Sequence, residues 1–238
     1  MRTRVKQKNS INAIFKTILT KYWTQHIIFI LNLIFMFHSK YLKMMKRLFI
    51  FDVDGVLLNL WGPMKDVFEE FTGQKLSQGL WDGVIFDYLK NPAPYMEFGR
   101  YFDNSDILTK LPAMPDMPEL VQKLKAQGFD LAIVTSVSDK EEIKSKRAQN
   151  LLQVFGDVFD KLVCTERGGS KKQALQEVVK GYDQTFFCDD HPKNAALGKG
   201  VVTFPLWFQN KYHEPIWEQI DHSGIIPVKN AEDILKLV

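Results

Sequence analysis

Short apolar segments alternate with amphipathic ones from residue 48 to the end of the chain. The apolar segments are rich in β-branched and aromatic residues, which indicates strands that are buried on both faces. They comprise residues 48–51, 129–134, 161–165, 185–188 and 201–206. Apolar residues spaced three and four apart predict helices over 117–127, 139–154, 171–179 and 231–237. Strands that alternate with helices predict an α/β fold with a doubly wound, Rossmann-like parallel sheet.

One region departs from this alternation, between the first and second predicted strands. Met64, Val67, Phe68 and Phe71 have the spacing of one helical face, and Gly73 ends that helix. A second helical pattern covers 80–89 and a third covers 95–111. The sequence therefore predicts a small α-helical insertion, residues 61–111, in an α/β core formed by residues 44–60 and 112–238.

Local signals refine two of the predicted loops. Ser138 and Glu141 have the spacing of a capping box for the helix 139–154. The glycine-rich stretch 168–170 predicts a loop that leads into the helix beginning at Lys171.

The first 43 residues differ from the rest in composition. Of the 31 basic residues in the chain, ten lie in 1–47, which contains no acidic residue. The remainder carries 21 basic and 28 acidic residues, a net charge of −7, so no nucleic-acid partner is expected. The eleven-residue apolar run 27–37 is short for a membrane span of about 20 residues. We interpret 1–43 as a mis-assigned start, a disordered leader, a membrane anchor or an uncleaved signal sequence, and expect membrane contact only if this leader is real.

The two cysteines, Cys164 and Cys188, each end an apolar segment. No C-x-x-C pattern accompanies them, so they are interpreted as buried hydrophobic residues rather than as a disulfide or metal pair. A reducing compartment fits this usage, and a cytoplasmic location is expected. The sequence does not predict an oligomeric state.

Two carboxylates follow the first predicted strand, Asp52 and Asp54, and Gly55 allows the chain to turn away after them. Two like charges this close are costly to bury without a cation, and Mg2+ prefers oxygen ligands. A calcium-binding loop is excluded because the chain has Val56 and Pro63 where such a loop needs an oxygen ligand and Glu. A solvated turn with two incidental acids remains the alternative.

Other polar residues follow the later strands. Thr135 ends the second strand, Lys171 follows the third, and Asp189 and Asp190 end the fourth. Each has an ordinary explanation alone, as a helix cap, a solvated lysine or acids at a helix N-terminus. Parallel sheets bind ligands beyond the carboxyl ends of their strands, so the ordered set predicts a site there.

In these motifs the chain resembles the haloacid dehalogenase superfamily of hydrolases, over about residues 46–238. The resemblance implies that Asp52 is a nucleophile that forms an aspartyl-phosphate. It also implies that Mg2+ is held by Asp52, the backbone carbonyl of Asp54 and Asp189. Asp190 is expected to support the metal or its waters.

The chemistry of phosphoryl transfer fits these roles. A metal, Lys171 and Thr135 could neutralise and hold the phosphoryl oxygens, and Asp54 could protonate the leaving oxygen and then activate water. Lys172 remains an alternative to Lys171. His191 is interpreted as a surface or capping residue, and Asn194 as a residue that could orient Lys171.

We therefore predict a Mg2+-dependent phosphomonoester hydrolase that acts on a small phosphorylated metabolite. The insertion lies where the superfamily places a mobile helical cap, and its candidates for substrate contact are Lys75, Lys90, Arg100, Trp61 and Trp81. A phosphomutase or a nucleotidase of the same superfamily remains open. The alternative of another class is a non-catalytic, membrane-tethered phosphate-binding module.

Overall fold

A computed structural model describes residues 45–138, 140–167 and 169–238. The interpretation of residues 1–43 and the expected core start at Met44 lie outside the described residues. Within the described part, Lys46–Val238 forms one compact unit. No helix there has the length and apolar character needed to cross a bilayer.

A parallel six-stranded sheet forms the centre of this unit, with the strand order β3-β2-β1-β4-β5-β6. The strands are β1 (Arg47–Phe51), β2 (Phe129–Thr135), β3 (Lys161–Cys164), β4 (Gln184–Asp189), β5 (Phe204–Phe208) and β6 (Ile226–Val228). The order reverses direction beside β1, which is where ligands bind in sheets of this kind. The predicted α/β fold with a doubly wound sheet is confirmed.

The helices connect these strands. They are α1 (Trp61–Thr72), α2 (Gln78–Lys90), α3 (Met96–Asn104), α4 (Met117–Ala126), α5 (Glu141–Phe155), α6 (Lys172–Val178), α7 (Pro192–Leu197), α8 (Glu214–Trp217) and α9 (Ala231–Leu235). Two short 3-10 helices, Ala93–Tyr95 and Asp106–Thr109, flank α3.

Both faces of β1 are buried, as its continuous apolar sequence predicts. Phe49 faces one layer, where its ring lies 5.5 Å from that of Phe186 and 6.4 Å from that of Phe129. Ile50 faces the opposite layer and belongs to a separate apolar cluster. The two layers make β1 a rigid central strand, so the residues that follow Phe51 start from a fixed position.

The region between β1 and β2 is helical, as its pattern predicts. Helices α1, α2 and α3 pack their apolar residues against one another, with the Phe68 ring 5.6 Å from Trp81 and 4.9 Å from Phe98. Asp82 of α2 contacts the segment after β5, accepting from Tyr212 Oη at 2.7 Å and Lys211 Nζ at 2.8 Å. These contacts join the helical region to the segment that follows β5.

Three local predictions differ from the structure. The helix α5 begins at Glu141, and Ser138 accepts a hydrogen bond from the backbone N–H of Lys140, so the predicted capping box is wrong. The fifth strand begins three residues later than predicted, at Phe204, because 198–202 forms a turn with backbone hydrogen bonds from Val201 and Val202 to Gly198. Strand β6 and helices α7 and α8 have no counterpart among the predicted elements.

Candidate active site

The carboxyl ends of β1, β2 and β4 meet at one edge of the sheet. The register pairs Phe51 with Ile133 of β2 and with Cys188 of β4. The backbone N–H of Asp52 continues this pairing by donating to the carbonyl of Cys188 at 2.8 Å. Asp52 and Asp189 therefore leave adjacent strands at nearly the same level.

A buried lysine joins these two aspartates. Lys171 Nζ lies 2.8 Å from Asp52 Oδ1 and 2.7 Å from Asp189 Oδ2, and the lysine is only 1% exposed. Burial by itself lowers the pKa of Lys171, but the carboxylates of Asp189 and Asp52 outweigh it and raise that pKa. The ammonium group therefore stays charged inside the site.

Asp190 completes a cluster of three buried carboxylates. Asp52, Asp189 and Asp190 each offer an oxygen within 4.8 Å of the others. Gly55 allows Asp190 this close approach: its φ is +80°, and a Cβ at this position would lie 2.1 Å from Asp190 Oδ2. An alanine at this position would displace the Asp190 carboxylate.

The donor set fits a hard divalent cation. Three buried carboxylates face one lysine, which leaves an excess of negative charge that is costly in a protein interior. Burial raises the pKa of Asp189, and although Lys171 opposes this shift, Asp52 and Asp190 add to it. All three side chains offer oxygen ligands, which Mg2+ prefers.

Two histidines lie next to Asp190. His213 Nδ1 is 3.4 Å from Asp190 Oδ2, and the rings of His191 and His213 are 4.8 Å apart. Burial is the main cause that lowers the pKa of His191 to about 4, with His213 adding to it. Burial also disfavours charge on His213, but Asp190 outweighs it and raises the pKa of that imidazole.

Asp54 points to a different partner. Its two oxygens lie 2.8 and 2.9 Å from Arg147 Nη2, on helix α5. Burial raises the pKa of the Asp54 carboxyl, and the opposing effect of Arg147 does not cancel this shift. The two aspartates that follow β1 therefore have different surroundings, Asp52 with a lysine and Asp54 with an arginine.

Thr135 ends β2 at the same edge and is 1% exposed. Its carbonyl accepts from the backbone N–H of Thr165 at 2.8 Å, and Ser136 Oγ lies 2.8 Å from Thr165 Oγ1. These bonds connect the ends of β2 and β3, the strand that leads towards Lys171.

The structure distinguishes several residues that the sequence left open. Lys171 is buried among the aspartates, whereas Lys172 is exposed. Asn194 donates to Asp189 Oδ1 at 3.3 Å and so contacts an aspartate rather than Lys171. His191 caps helix α7 by accepting from Lys193 N–H, as its capping interpretation expects.

A cavity of about 40 Å³ lies beside Asp54, between the sheet domain and the helical region. Apart from Asp54 and Arg167 it is lined mainly by apolar and aromatic residues: Leu60, Trp61, Met64, Tyr88, Phe98 and Phe102. Arg167, in the loop after β3, forms an ion pair with Asp103 of α3. Of the five residues predicted for substrate contact, Trp61 lines this cavity, and Trp81 is buried in the packing of the helices.

Sequence reasoning missed Arg147, Arg167 and His213. A signal for Arg147 exists, because Ile143, Arg147, Asn150 and Leu151 have the spacing of one helical face and all four are buried. An arginine on an apolar face requires a partner, but the sequence alone does not identify Asp54 as that partner.

Known proteins share both sequence and fold with this chain. Over 150 residues it is 30% identical to a phosphoglycolate phosphatase from Aquifex aeolicus. The matched region covers 56% of this chain and 68% of the relative. No family model matches the chain.

Two solved structures illustrate the fold similarity. A haloacid dehalogenase-like hydrolase from Streptococcus pneumoniae has a TM-score of 0.55 at 15% identity, covering 81% of this chain and 98% of that one. The D,D-heptose 1,7-bisphosphate phosphatase from B. bronchiseptica, solved with magnesium and phosphate, has a TM-score of 0.50 at 15% identity, covering 81% and 99%.

Proposed function

Because the chain belongs to the haloacid dehalogenase superfamily of hydrolases, in its phosphatase-like branch, we propose that it is a Mg2+-dependent phosphomonoester hydrolase. The substrate is a small phosphorylated metabolite, and the reaction passes through an aspartyl-phosphate on Asp52. The observation that carries this proposal is the buried contact of Lys171 with both Asp52 and Asp189, next to Asp190.

Asp52 is the nucleophile in this proposal. One of its carboxylate oxygens forms a bond to phosphorus as the bond between phosphorus and the leaving oxygen breaks. Asp54 gives its proton to that leaving oxygen and becomes a carboxylate. Asp54 then takes a proton from water as the water oxygen attacks phosphorus, which breaks the bond to Asp52 and releases inorganic phosphate.

Lys171 and Thr135 bind the phosphoryl oxygens. Lys171 supplies a positive charge from a position 2.8 Å from Asp52 Oδ1, and Thr135 supplies a hydroxyl at the end of β2. Mg2+ would be held by Asp52, the backbone carbonyl of Asp54, Asp189 and Asp190, and it supplies charge neutralisation for the phosphoryl group.

The size of the cavity supports a small substrate. The cavity of about 40 Å³ beside Asp54 is compact and suits a small leaving group. This favours a short phosphorylated metabolite over a nucleotide, and the name of the Aquifex relative makes 2-phosphoglycolate the first compound to test. A phosphomutase, which would keep its intermediate bound, remains the alternative. Product analysis distinguishes it from a phosphatase.

The helical region 61–111 acts as a cap over the core 44–60 and 112–238 in this proposal. Two sets of contacts join the two parts and support this role: those of Asp82 with Lys211 and Tyr212, and that of Asp103 with Arg167, which lines the cavity. A cap in this position excludes water from the reaction.

Cys164 and Cys188 are both free, which supports a reducing, cytoplasmic compartment.

The test is phosphate release from a panel of small phosphate monoesters, with and without Mg2+, by the wild type and by Asp52→Asn. We expect Mg2+-dependent release that the variant lacks, and the preferred compound identifies the substrate class. Asp157→Asn is the matched control and should retain activity, because Asp157 is exposed and precedes the amino end of β3, whereas the site lies at the carboxyl ends of the strands. Release that persists in Asp52→Asn, or no release by a folded wild type, contradicts the proposal.

A further inference from the structure

Arg147 is a fully buried arginine that the proposed mechanism does not use. Its exposure is 0%, and it is one of the largest side chains buried in the described residues. Burial of a guanidinium group removes it from water at a cost that good hydrogen bonds must offset. A side chain with this cost is unusual unless it has a specific partner.

The hydrogen bonding of Arg147 is concentrated on one partner. Nη2 contacts both oxygens of Asp54, at 2.8 and 2.9 Å. Its Nε and Nη1 are buried and have no hydrogen-bond partner among the described residues. An arginine that served stability alone would be expected to use more of its five donors.

The geometry of this contact restrains Asp54. A hydrogen bond from Nη2 to Asp54 Oδ2, together with the ion-pair contact of Nη2 with Oδ1, limits rotation of the carboxyl group. Burial of Arg147 on the 15-residue helix α5 limits movement of the donor. The Asp54 side chain is 23% exposed and lines the cavity. In the proposed mechanism the leaving group lies beside this cavity. Its carboxyl group is thus held on one side by Arg147 and is accessible from the cavity.

We propose that Arg147 is a positioning residue that holds the carboxyl group of Asp54 in the orientation from which it exchanges a proton with the leaving oxygen. This inference rests on the proposed phosphatase function. It assigns Arg147 no contact with the phosphoryl group, so its effect must act through Asp54.

Leaving groups of different acidity separate this role from a structural one. Acetyl phosphate releases acetate, which needs no proton, whereas an alkyl phosphate monoester from the panel releases an alcohol, which does. The value of kcat/KM reports the steps up to transfer of the phosphoryl group to Asp52, in which Asp54 acts as the acid. Both compounds have small leaving groups, in keeping with the size of the cavity.

The variants are Arg147→Met, Arg147→Lys, Asp54→Asn and the double variant Asp54→Asn/Arg147→Met. Lys123→Met, which removes an exposed cation of α4, is the control for loss of charge. We expect Arg147→Met to lower kcat/KM for the monoester by about 10- to 100-fold and to change kcat/KM for acetyl phosphate far less. In the Asp54→Asn background the same substitution should have almost no further effect.

Arg147→Lys keeps a positive charge and should restore part of the activity for the monoester. It replaces Arg147→Met in the test if circular dichroism shows that Arg147→Met does not fold. Equal losses for the two compounds, or a loss that is additive with Asp54→Asn, would overturn the positioning role while leaving the phosphatase function intact. Absence of wild-type turnover of both compounds would overturn the phosphatase function and this inference together.

Discussion

Lys171 contacts two of the three clustered carboxylates, those of Asp52 and Asp189. The third, Asp190, approaches the chain at Gly55 so closely that only a glycine fits there. The short distance from the Gly55 position to Asp190 leaves no room for a side chain there. Positive φ is a second reason for glycine at this position, because other residues adopt that conformation at a cost of about 1 kcal/mol or more. The two reasons can be separated experimentally.

Gly55→Ala is expected to weaken Mg2+ binding and lower stability, because its Cβ displaces Asp190. The matched control is Gly181→Ala, since Gly181 has φ +84° but no described atom lies within 4 Å of a Cβ built there. The control should lose only about 1 to 2 kcal/mol of stability from backbone strain. The measurement is the rise in the thermal unfolding midpoint on Mg2+ titration: it should be smaller in Gly55→Ala and unchanged in Gly181→Ala. An identical rise in both variants contradicts this account of Asp190.

Single residues differ in how far the sequence could identify them. Asp52, Asp54 and Asp189 follow predictable strands, so the edge of the sheet that they share could be inferred. The choice between Lys171 and Lys172 could not, because it depends on the turn before α6, where the structure buries one side chain and exposes the other. The partner of Arg147 lies 93 residues away in the chain, which no local pattern reports.

At the scale of elements, the helical region depends on a buried glutamate. Glu69 of α1 accepts from Lys65 Nζ at 2.8 Å, Lys75 Nζ at 2.7 Å and the backbone N–H of Leu76 at 2.8 Å. These bonds connect α1 to the turn that precedes α2. Together these bonds lower the pKa of Glu69 to about 2, and the bond from Lys65 contributes most to this shift.

Glu69→Gln is therefore expected to destabilise the protein in a pH-dependent way. The pKa of Glu69 is depressed in the folded state. Its contribution to the free energy of unfolding is therefore fully present above pH 4.5, the ordinary pKa of a glutamate, and is lost as the pH falls towards about 2. The difference in stability between wild type and variant, from denaturant unfolding, should be largest near neutral pH and should narrow below pH 4.5. Glu97→Gln, at an exposed position of α3, is the control for loss of a surface carboxylate. A difference that is constant from pH 7 to pH 3 would exclude ionisation of Glu69 as the cause.

The elements that the sequence missed are short. Strand β6 has three residues, and helices α7 and α8 have six and four. Elements of this length contain less than two turns or a single alternation, so their periodicity is not detectable. Their formation depends on packing against β5 and its neighbours, as in the stack of Trp207 on Trp217 at 4.2 Å.

At the scale of the whole molecule, the contacts join Lys46–Val238 into one unit that contains every residue assigned to the site. The strand order, which places β1 between β2 and β4, brings together residues from four separate segments. The alternation of strands and helices predicted this class of sheet, whereas the order of the strands depends on long-range pairing. Both apolar clusters beside β1 lie within the same unit.

A chain of residues 45–238 is expected to fold and to have the same kcat/KM as the full chain, because the core and the site lie within it. The measurements are phosphate release by both chains and fractionation of cells that express either chain. Loss of activity in the shorter chain, despite cooperative unfolding, would assign residues 1–44 a part in catalysis. Recovery of only the full chain with membranes, without phosphatase activity in either chain, would favour the tethered binding module.

The central claim is that Asp52 accepts the phosphoryl group, and trapping of that group tests it most directly. The enzyme is mixed with Mg2+ and its preferred monoester, quenched in acid during turnover and reduced with borohydride, which converts an aspartyl-phosphate to homoserine. Peptide mass spectrometry should then find homoserine at position 52 in the wild type, and none in Asp52→Asn or without Mg2+. Continued phosphate release with an unmodified Asp52, or with the modification on another residue, would contradict the account.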